Sequence, residues 1–339
     1  MRKVLVTGGL GYIGSHVVVE LQKNNFEVFI IDNLSNSSKK VLDGIYEITG
    51  LMPFFKNIDL KDKLSVVDFL NKHSEFDGII HLASSKAVSE SVINPMEYYE
   101  NNVNSLVNLL SVIKKQKKIS FIFSSSCSVY GEVSNLPITE KSPITKAKSP
   151  YANTKIIGEQ IIKDLCKSNK SFNSIILRYF NAIGAHKSGK IGESLSGLTQ
   201  NIIPLISKTA IGVDEEFVVY GNNYPTDDGT CIRDYIHVVD LAKAHVYSLI
   251  RLIEQKNTNN FDVYNIGTGK PNSVLEVIKA FEKFNNLKLN YSFSKRRAGD
   301  VTSAYADVSK ANKELGWKSK LSLKDGLISA WKWHKNNKL

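Results

Sequence analysis

Short apolar segments alternate with longer amphipathic segments over the first half of the chain. The short segments are rich in Val, Ile and Phe, which favours strands buried on both faces of a sheet, at residues 3–6, 27–31, 52–55, 78–81, 119–124 and 174–177. The longer segments have the length and spacing of helices, at residues 12–24, 62–73, 96–115 and 151–167. This alternation predicts an α/β fold, a Rossmann-type doubly wound parallel sheet with right-handed crossovers.

The pattern changes after residue 180, where residues 181–199, rich in Gly, Ser and His, predict a loop. Beyond it, residues 202–211 are apolar, residues 217–220 and 263–266 have the pattern of strands, and residues 238–253, 273–284 and 323–334 have that of helices. We therefore expect a first domain at residues 1–180, with segments returning from the C-terminal half, and a smaller mixed α/β lobe at 181–339. The cleft between them should open at the carboxyl ends of the strands.

The chain carries a net charge of +11, but its lysines are scattered. The one dense run, Lys114, Lys115, Lys117 and Lys118, lies where a helix is expected to end, so these cations face the negative end of its dipole. This distribution argues against a nucleic-acid partner and suits the attraction of an anionic substrate such as a sugar diphosphate.

The three cysteines, Cys127, Cys166 and Cys231, have neither paired nor metal-like spacing, which predicts reduced thiols in a cytoplasmic protein and no metal site. His81 and His237 each stand alone, and we expect structural roles for both. No apolar segment approaches the roughly 20 residues that a membrane span requires. Glycines interrupt the apolar N-terminus, which does not have the pattern of a signal peptide.

A glycine motif at residues 6–14 follows the first predicted strand and opens the first helix. Gly8 permits a tight turn, Gly11 lets the backbone approach a pyrophosphate, and Gly14 allows close packing of helix and strand. Asp32 ends the second strand, where a carboxylate accepts the ribose hydroxyls of NAD and disfavours the extra phosphate of NADP. Together these features predict a bound NAD.

A second group of residues predicts general base chemistry. Tyr151 and Lys155 are four residues apart on a predicted helix and therefore share one face. We expect the Lys155 ammonium to lower the pKa of the Tyr151 phenol from about 10 toward neutrality, where a phenolate acts as a base. Ser126 follows the fifth predicted strand and is placed to hydrogen-bond the same substrate hydroxyl. These three are the predicted catalytic residues.

Several ordered motifs together resemble the extended short-chain dehydrogenase/reductase superfamily and, within it, the UDP-glucose 4-epimerases. They lie at residues 8–14, 124–126, 151–155, 178–181, 224–226, 228–230, 233–237 and 296–300, and so span nearly the whole chain. The superfamily motifs are moderately specific, whereas the Tyr-Pro-Thr and Arg-Asp-Tyr-Ile-His segments are more so.

The resemblance implies a tightly held NAD that is used without net oxidation. In that family the tyrosine, here Tyr151, takes the proton of the sugar's 4-hydroxyl while C4 gives its hydride to NAD. The 4-keto sugar then turns over and regains the hydride on its other face, which interconverts UDP-glucose and UDP-galactose.

The resemblance also assigns binding positions. Those for the cofactor match Tyr12, Ile13, Asp32, Asn33, Asn36, Ser37, Asp59, Leu60, Leu82, Ala83, Lys86, Asn101, Lys155 and Phe180. Those for the nucleotide sugar match Asn181, Asn201, Ile202, Val218, Tyr220, Arg233, Arg297 and Asp300, beside Ser126. The arginines suit a pyrophosphate because a guanidinium binds its oxygens in pairs.

Two positions depart from the family pattern. Ser84 stands where the family often has Gly, which we expect to shift the cofactor contacts slightly. Ala304 stands where many relatives have a tyrosine that borders the sugar pocket. In this family a small residue there goes with acceptance of 2-acetamido sugars, so the resemblance implies UDP-N-acetylglucosamine and UDP-N-acetylgalactosamine as further substrates.

Other functions stay open at this point. A nucleotide-sugar 4,6-dehydratase or decarboxylase shares the NAD site, although a dehydratase is expected to carry an Asp-Glu pair where Cys127 and Ser128 stand. A non-catalytic NAD-sensing regulator would typically lack the tyrosine base. The resemblance further implies a homodimer formed through the helices at 96–115 and 151–167.

Overall fold

The computed structural model describes residues 1–73, 75–114, 119–195, 201–297 and 299–337. The strands are β1 (Arg2–Thr7), β2 (Phe26–Asp32), β3 (Phe54–Asn57), β4 (Gly78–His81), β5 (Ile119–Ser126), β6 (Phe172–Tyr179), β7 (Asn181–Ile183), β8 (Phe217–Tyr220), β9 (Ile232–His237), β10 (Phe261–Ile266), β11 (Pro271–Ser273), β12 (Tyr291–Ser294) and β13 (Ser303–Ala304). Seven of them form one parallel sheet in the order β10-β6-β5-β4-β1-β2-β3. The order reverses between β1 and β4, which confirms the predicted Rossmann-type fold and places a ligand crevice there.

Helices cover both faces of this sheet. The α-helices of the described residues, in both lobes, are α1 (Tyr12–Lys23), α2 (Lys40–Thr49), α3 (Lys63–Lys72), α4 (Val88–Ile93), α5 (Pro95–Tyr99), α6 (Ser105–Ile113), α7 (Pro150–Ser168), α8 (Ile202–Ala210), α9 (Val238–Ile253), α10 (Val274–Asn285) and α11 (Leu323–Asn336). Val4 and Val6 of β1 join the core under α1 and α9, while Leu5 joins the core under α3, α6 and α7. Alternate side chains of each strand therefore serve opposite layers, which is why the strands are apolar throughout.

The smaller lobe is mixed, as predicted. There β9 pairs antiparallel with β11 and parallel with β7 and β13, and β8 pairs with β12. Helices α8, α10 and α11 enclose its core. From the C-terminal half, β10 lies beside β6 in the large sheet. The domain boundary at residue 180 stays a prediction of the sequence.

Several elements differ from the expectation. The sequence analysis missed α2 and α4, although α2 packs Val41, Leu42, Ile45 and Ile48 against the core at helical spacing. The helix expected at 96–115 is divided by a π-helical turn at Glu100–Asn104. Of the basic run, Lys115, Lys117 and Lys118 lie outside the described residues. Strand β3 begins two residues later than expected, and β7 lies within the expected loop 181–199, of which residues 196–199 are outside the described part.

The isolated histidines have local partners. The Nδ1 atom of His81 lies 2.8 Å from Oγ1 of Thr7, and Nδ1 of His237 accepts a hydrogen bond from the backbone N–H of Val239 at the start of α9. All three cysteines are free thiols. Within the described ranges, no helix is long and apolar enough to cross a membrane.

Candidate active site

Gly8 and Gly14 of the glycine motif are packed so closely that neither position has room for a side chain. Gly8 has φ of +70°, and a Cβ added there would lie 2.8 Å from the backbone N of Ala83. A Cβ on Gly14 would lie 2.9 Å from the Cα of Gly9 and would collide with the Gly8 carbonyl. The start of α1 is thereby pressed against the carboxyl end of β1, where its backbone N–H groups suit an anion.

We expect Gly14→Ala to remove bound dinucleotide and to lower the free energy of unfolding by more than about 1 kcal/mol, because the loop must move to admit the methyl group. Gly50→Ala is the control: Gly50 has φ of +71° but no neighbour within 4 Å of an added Cβ. It should cost stability through strain alone and leave the cofactor bound. Thermal unfolding and absorbance of released NAD measure both effects. Full NAD occupancy in Gly14→Ala would contradict the assignment of the loop.

Asp32 is a buried carboxylate fixed between two loops. Its Oδ1 accepts hydrogen bonds from Leu34 N and from Ser37 Oγ, each at 2.9 Å, and its Oδ2 accepts one from Leu10 N at 3.0 Å. The strand end and the glycine motif therefore hold one another in register. Asn33 adds a hydrogen bond of 3.2 Å to Asp59.

A cavity lies over this edge of the sheet. Eight of the predicted cofactor residues line it, Gly8, Asp32, Asn33, Asn36, Asp59, Leu60, Ala83 and Asn101. The prediction omitted Ile31, Ser35, Ile58, Ser84, Ser85 and Ser105, which line it too. The glycine motif, the fixed carboxylate of Asp32 and this polar cavity together fit a bound dinucleotide.

The three predicted catalytic residues meet at the end of β5. Ser149 accepts a hydrogen bond from Ala152 N at 3.2 Å and, with Pro150, starts α7 just before Tyr151. One turn later, the Lys155 Nζ donates to the Ser124 carbonyl at 2.9 Å and lies 5.9 Å from the centre of the Tyr151 ring.

Burial changes the expected electrostatics of the pair. It raises the pKa of the Tyr151 phenol to about 12, although the Ser126 hydroxyl hydrogen-bonds the phenol and lowers that pKa. Burial also lowers the pKa of Lys155 to about 7, against the opposing effect of Glu159. The expectation that the Lys155 ammonium lowers the phenol's pKa toward neutrality is therefore wrong. The pocket disfavours both ions, so added positive charge is needed to stabilise the phenolate.

Strand β9 gathers the predicted substrate residues. Ala304 of β13 is in register with Arg233, and Asn181 of β7 is in register with Tyr235. Asp300 accepts from Arg297 Nε at 3.0 Å and lies 3.8 Å from Arg233 Nη2. The guanidinium groups of Arg233 and Arg297 thus share the carboxylate of Asp300. An anionic diphosphate can bind either guanidinium by displacing that carboxylate.

The remaining predicted substrate and cofactor residues are distributed around this core. Arg297 lies 5.0 Å from the centre of the Tyr220 ring, and Phe180 packs in one cluster with Ala304. Ile202 packs against the core of the smaller lobe, while Val218 lies in β8. Ile13 and Leu82 pack against the core around α1.

Glu193 is a site residue that the sequence analysis missed. Its Oε1 accepts hydrogen bonds from Lys86 Nζ at 2.7 Å and from Asn201 Nδ2 at 2.8 Å, which joins a predicted cofactor residue to a predicted substrate residue. Lys86 also lies 5.7 Å from the centre of the Tyr12 ring, and the Tyr12 hydroxyl donates to the Gly184 carbonyl at 2.6 Å. Glu193 stands in the irregular stretch after residue 180, where no periodicity singles it out.

The family model described as GDP-mannose 4,6 dehydratase, a short-chain dehydrogenase/reductase type, matches residues 5–329, so the chain belongs to that broad group. The UDP-glucose 4-epimerase of Bacillus subtilis (strain 168) is 44% identical over 334 residues, which are 98% of this chain and 97% of that protein.

Two solved structures are similar over nearly the whole chain. The UDP-glucose 4-epimerase from Bifidobacterium longum in complex with NAD+ and UDP has a TM-score of 0.95 and 43% identity and covers 99% of each chain. The UDP-Glc/GlcNAc 4-epimerase from Campylobacter jejuni has a TM-score of 0.84 and 34% identity and covers 99% of this chain and 100% of that one. Sequence identity of 43% and 44% to UDP-glucose 4-epimerases over nearly the whole chain, together with the shared fold, shows that this chain belongs to the UDP-glucose 4-epimerase family.

Proposed function

We propose that this chain is an isomerase that interconverts UDP-glucose and UDP-galactose at C4 with a retained NAD. The observation that carries the proposal is the meeting of Ser126, Tyr151 and Lys155 at the strand edge that also holds the glycine cradle. When bound, NAD supplies an acceptor for the C4 hydride and a positive charge that favours the Tyr151 phenolate.

The protein's own residues have three tasks. Tyr151 takes the proton of the 4-hydroxyl and returns it, with Ser126 hydrogen-bonded between the phenol and the sugar. Lys155 is anchored on Ser124 and carries the charge that holds the phenolate in place. Arg233 and Arg297 hold the diphosphate, which leaves the sugar free to present either face.

The substrate range is proposed to include UDP-N-acetylglucosamine and UDP-N-acetylgalactosamine. Ala304 is small and is in register with Arg233 on the neighbouring strand, so it lies beside the proposed diphosphate site. The family relative from Campylobacter jejuni, described as a UDP-Glc/GlcNAc 4-epimerase, supports this wider range.

The two alternatives have less support from the site. Cys127 and Ser128 form the turn after Ser126, where a dehydratase would need an acid and a base to eliminate water. Tyr151 is 7% exposed and contacts Ser126, as a catalytic phenol should, whereas a sensor has no use for that pairing.

The test is to incubate the purified protein with UDP-glucose, and separately with UDP-N-acetylglucosamine, without added NAD. Appearance of both C4 epimers is the expected result. Conversion of UDP-glucose alone would keep the epimerase and remove the wider range. No conversion of either, even with NAD supplied, would favour the dehydratase or the sensor.

We also propose a homodimer formed through α5, α6 and α7. Met96 of α5 is 68% exposed and Val107 of α6 is 43% exposed, so this face presents apolar side chains that a second copy would cover. Sedimentation velocity should give twice the chain mass, and Met96→Glu should shift the protein toward the monomer. A monomeric wild-type protein would contradict the proposal.

A further inference from the structure

Three consecutive serines end β5, and polar groups on both faces of the sheet hold them. On the α9 face, Ser124 Oγ lies 2.8 Å from His245 Nε2. On the α7 face, Ser125 Oγ donates to Glu159 Oε1 at 2.5 Å. Ser126, the proposed substrate contact, accepts from Ser128 N at 3.2 Å. The strand end that presents Ser126 is therefore fixed by groups that do not reach the substrate.

Glu159 belongs to a buried ion pair. Its carboxylate accepts from Arg178 Nε at 3.0 Å and from Nη2 at 2.5 Å, and the two side chains are 7% and 6% exposed. Arg178 Nη1 in turn donates to the Tyr130 hydroxyl at 3.0 Å, which donates to Asn265 at 2.7 Å. Because apolar residues often replace such a pair without loss of stability, stability alone does not explain its presence.

The position of Glu159 relative to Lys155 suggests a use for the pair. The two residues are one turn apart on the same face of α7. Lys155 donates to the carbonyl of Ser124, and Glu159 accepts from the hydroxyl of Ser125, so both hold adjacent residues of β5. Glu159 also raises the pKa of Lys155, against the burial that lowers it.

Apart from Arg178, which is paired with Glu159, the other titratable groups near this point are neutral at working pH. Burial lowers the pKa of His81 on β4 to about 3 and that of His245 on α9 to about 4. It raises the pKa of Tyr179 on β6 and brings that of Cys127 to about 11. Arg178 is paired with Glu159 itself, and Tyr151 is a neutral phenol in this environment. Glu159 is therefore the charged group that acts on Lys155.

We propose that Glu159, held by Arg178, is a positioning residue of the active site, which fixes the end of β5 through Ser125 and supplies the negative charge beside Lys155. The proposal rests on the proposed epimerase function. Glu159 does not touch the substrate, so its effect should appear in the pH dependence of turnover rather than in substrate affinity.

The test compares pH profiles of kcat/KM in holoenzyme variants. Glu159→Gln keeps an acceptor for Ser125 but removes the charge, so the basic limb should move to lower pH by about one unit while the acidic limb stays. Glu159→Asp should restore the limb. Ser125→Ala removes the hydrogen bond but leaves the charge, so it should lower kcat several-fold without moving either limb.

Glu159→Gln leaves Arg178 buried without its partner, which destabilises the fold. The double variant Glu159→Gln/Arg178→Gln has no unpaired charge. Because it removes the cation together with the anion, its basic limb should move in the same direction but by less than in Glu159→Gln, with folding checked by circular dichroism. If the folded variants gave pH profiles identical to that of the wild-type enzyme, this inference would be overturned and the proposed function would stand. A wild-type enzyme without turnover at any pH would overturn the proposed function and this inference with it.

Discussion

Replacing Tyr151 with phenylalanine is expected to lower kcat for UDP-glucose epimerisation by about 10²–10⁴-fold, the usual contribution of a positioned acid or base. The phenol is a titratable group that contacts Ser126. Phenylalanine has nearly the same volume, so the packing around this buried position should be kept. Epimer formation at saturating substrate, measured beside NAD content, separates a chemical defect from loss of cofactor.

Ser126→Ala is the matched variant for this prediction. It removes the hydroxyl that hydrogen-bonds the phenol but leaves the phenol itself, so the loss in kcat should be smaller than for Tyr151→Phe. Both variants should retain NAD, because neither residue lines the cavity beside Asp32. If Tyr151→Phe turned over at the wild-type rate, another residue would be the base and the assignment of Tyr151 would be wrong.

The large sheet could be predicted because its strands are buried on both faces. Every residue of β4 and of β5 is buried, so apolar and small residues dominate both segments of the sequence. Helix α2 has only two fully buried residues, Gly44 and Ile45, and the sequence analysis overlooked its amphipathic pattern. Short strands such as β7 depend on pairing with β9, a contact that local sequence does not encode.

The site shows the same division between local and distant information. The glycine motif and the Tyr151–Lys155 pair follow from spacing along one helix or turn. The role of Glu193 depends on Lys86, which is 107 positions away along the chain, and so leaves no local signal. Burial likewise cannot be inferred from a four-residue spacing, which is why the pKa of Tyr151 was expected to fall and is instead raised to about 12.

The raised pKa of Tyr151 and the lowered pKa of Lys155 make added positive charge favourable for the base in this pocket. A buried phenol and a buried amine both resist ionisation, and neither acts well at neutral pH without further charge. An oxidised nicotinamide adds positive charge, which favours the phenolate. With NAD held beside Asp32, its oxidised form would therefore favour Tyr151 as the base.

Replacing Ala304 with tyrosine is expected to lower kcat/KM for UDP-N-acetylglucosamine by about 10²-fold relative to UDP-glucose. This is about the largest change in the ratio of kcat/KM values that one group in a pocket produces between two substrates. Ala304 is 6% exposed and packs with Phe180 and Tyr130. Because this buried cluster is close-packed, we expect an added tyrosine ring to extend out of it, toward the proposed sugar site. The acetamido group would meet that ring, whereas a 2-hydroxyl is smaller.

The control for this change is Ala304→Ser, which keeps a small side chain and should retain both activities. Both rates are measured on the same preparation, so their ratio does not depend on the fraction of the enzyme that is active. Because Ala304 is in register with Arg233, a ring that disturbed β9 would also weaken the hold on the diphosphate. Equal loss with both substrates would therefore indicate that disturbance and contradict a gate for the acetamido group, while selective loss would identify Ala304 as the residue that admits it.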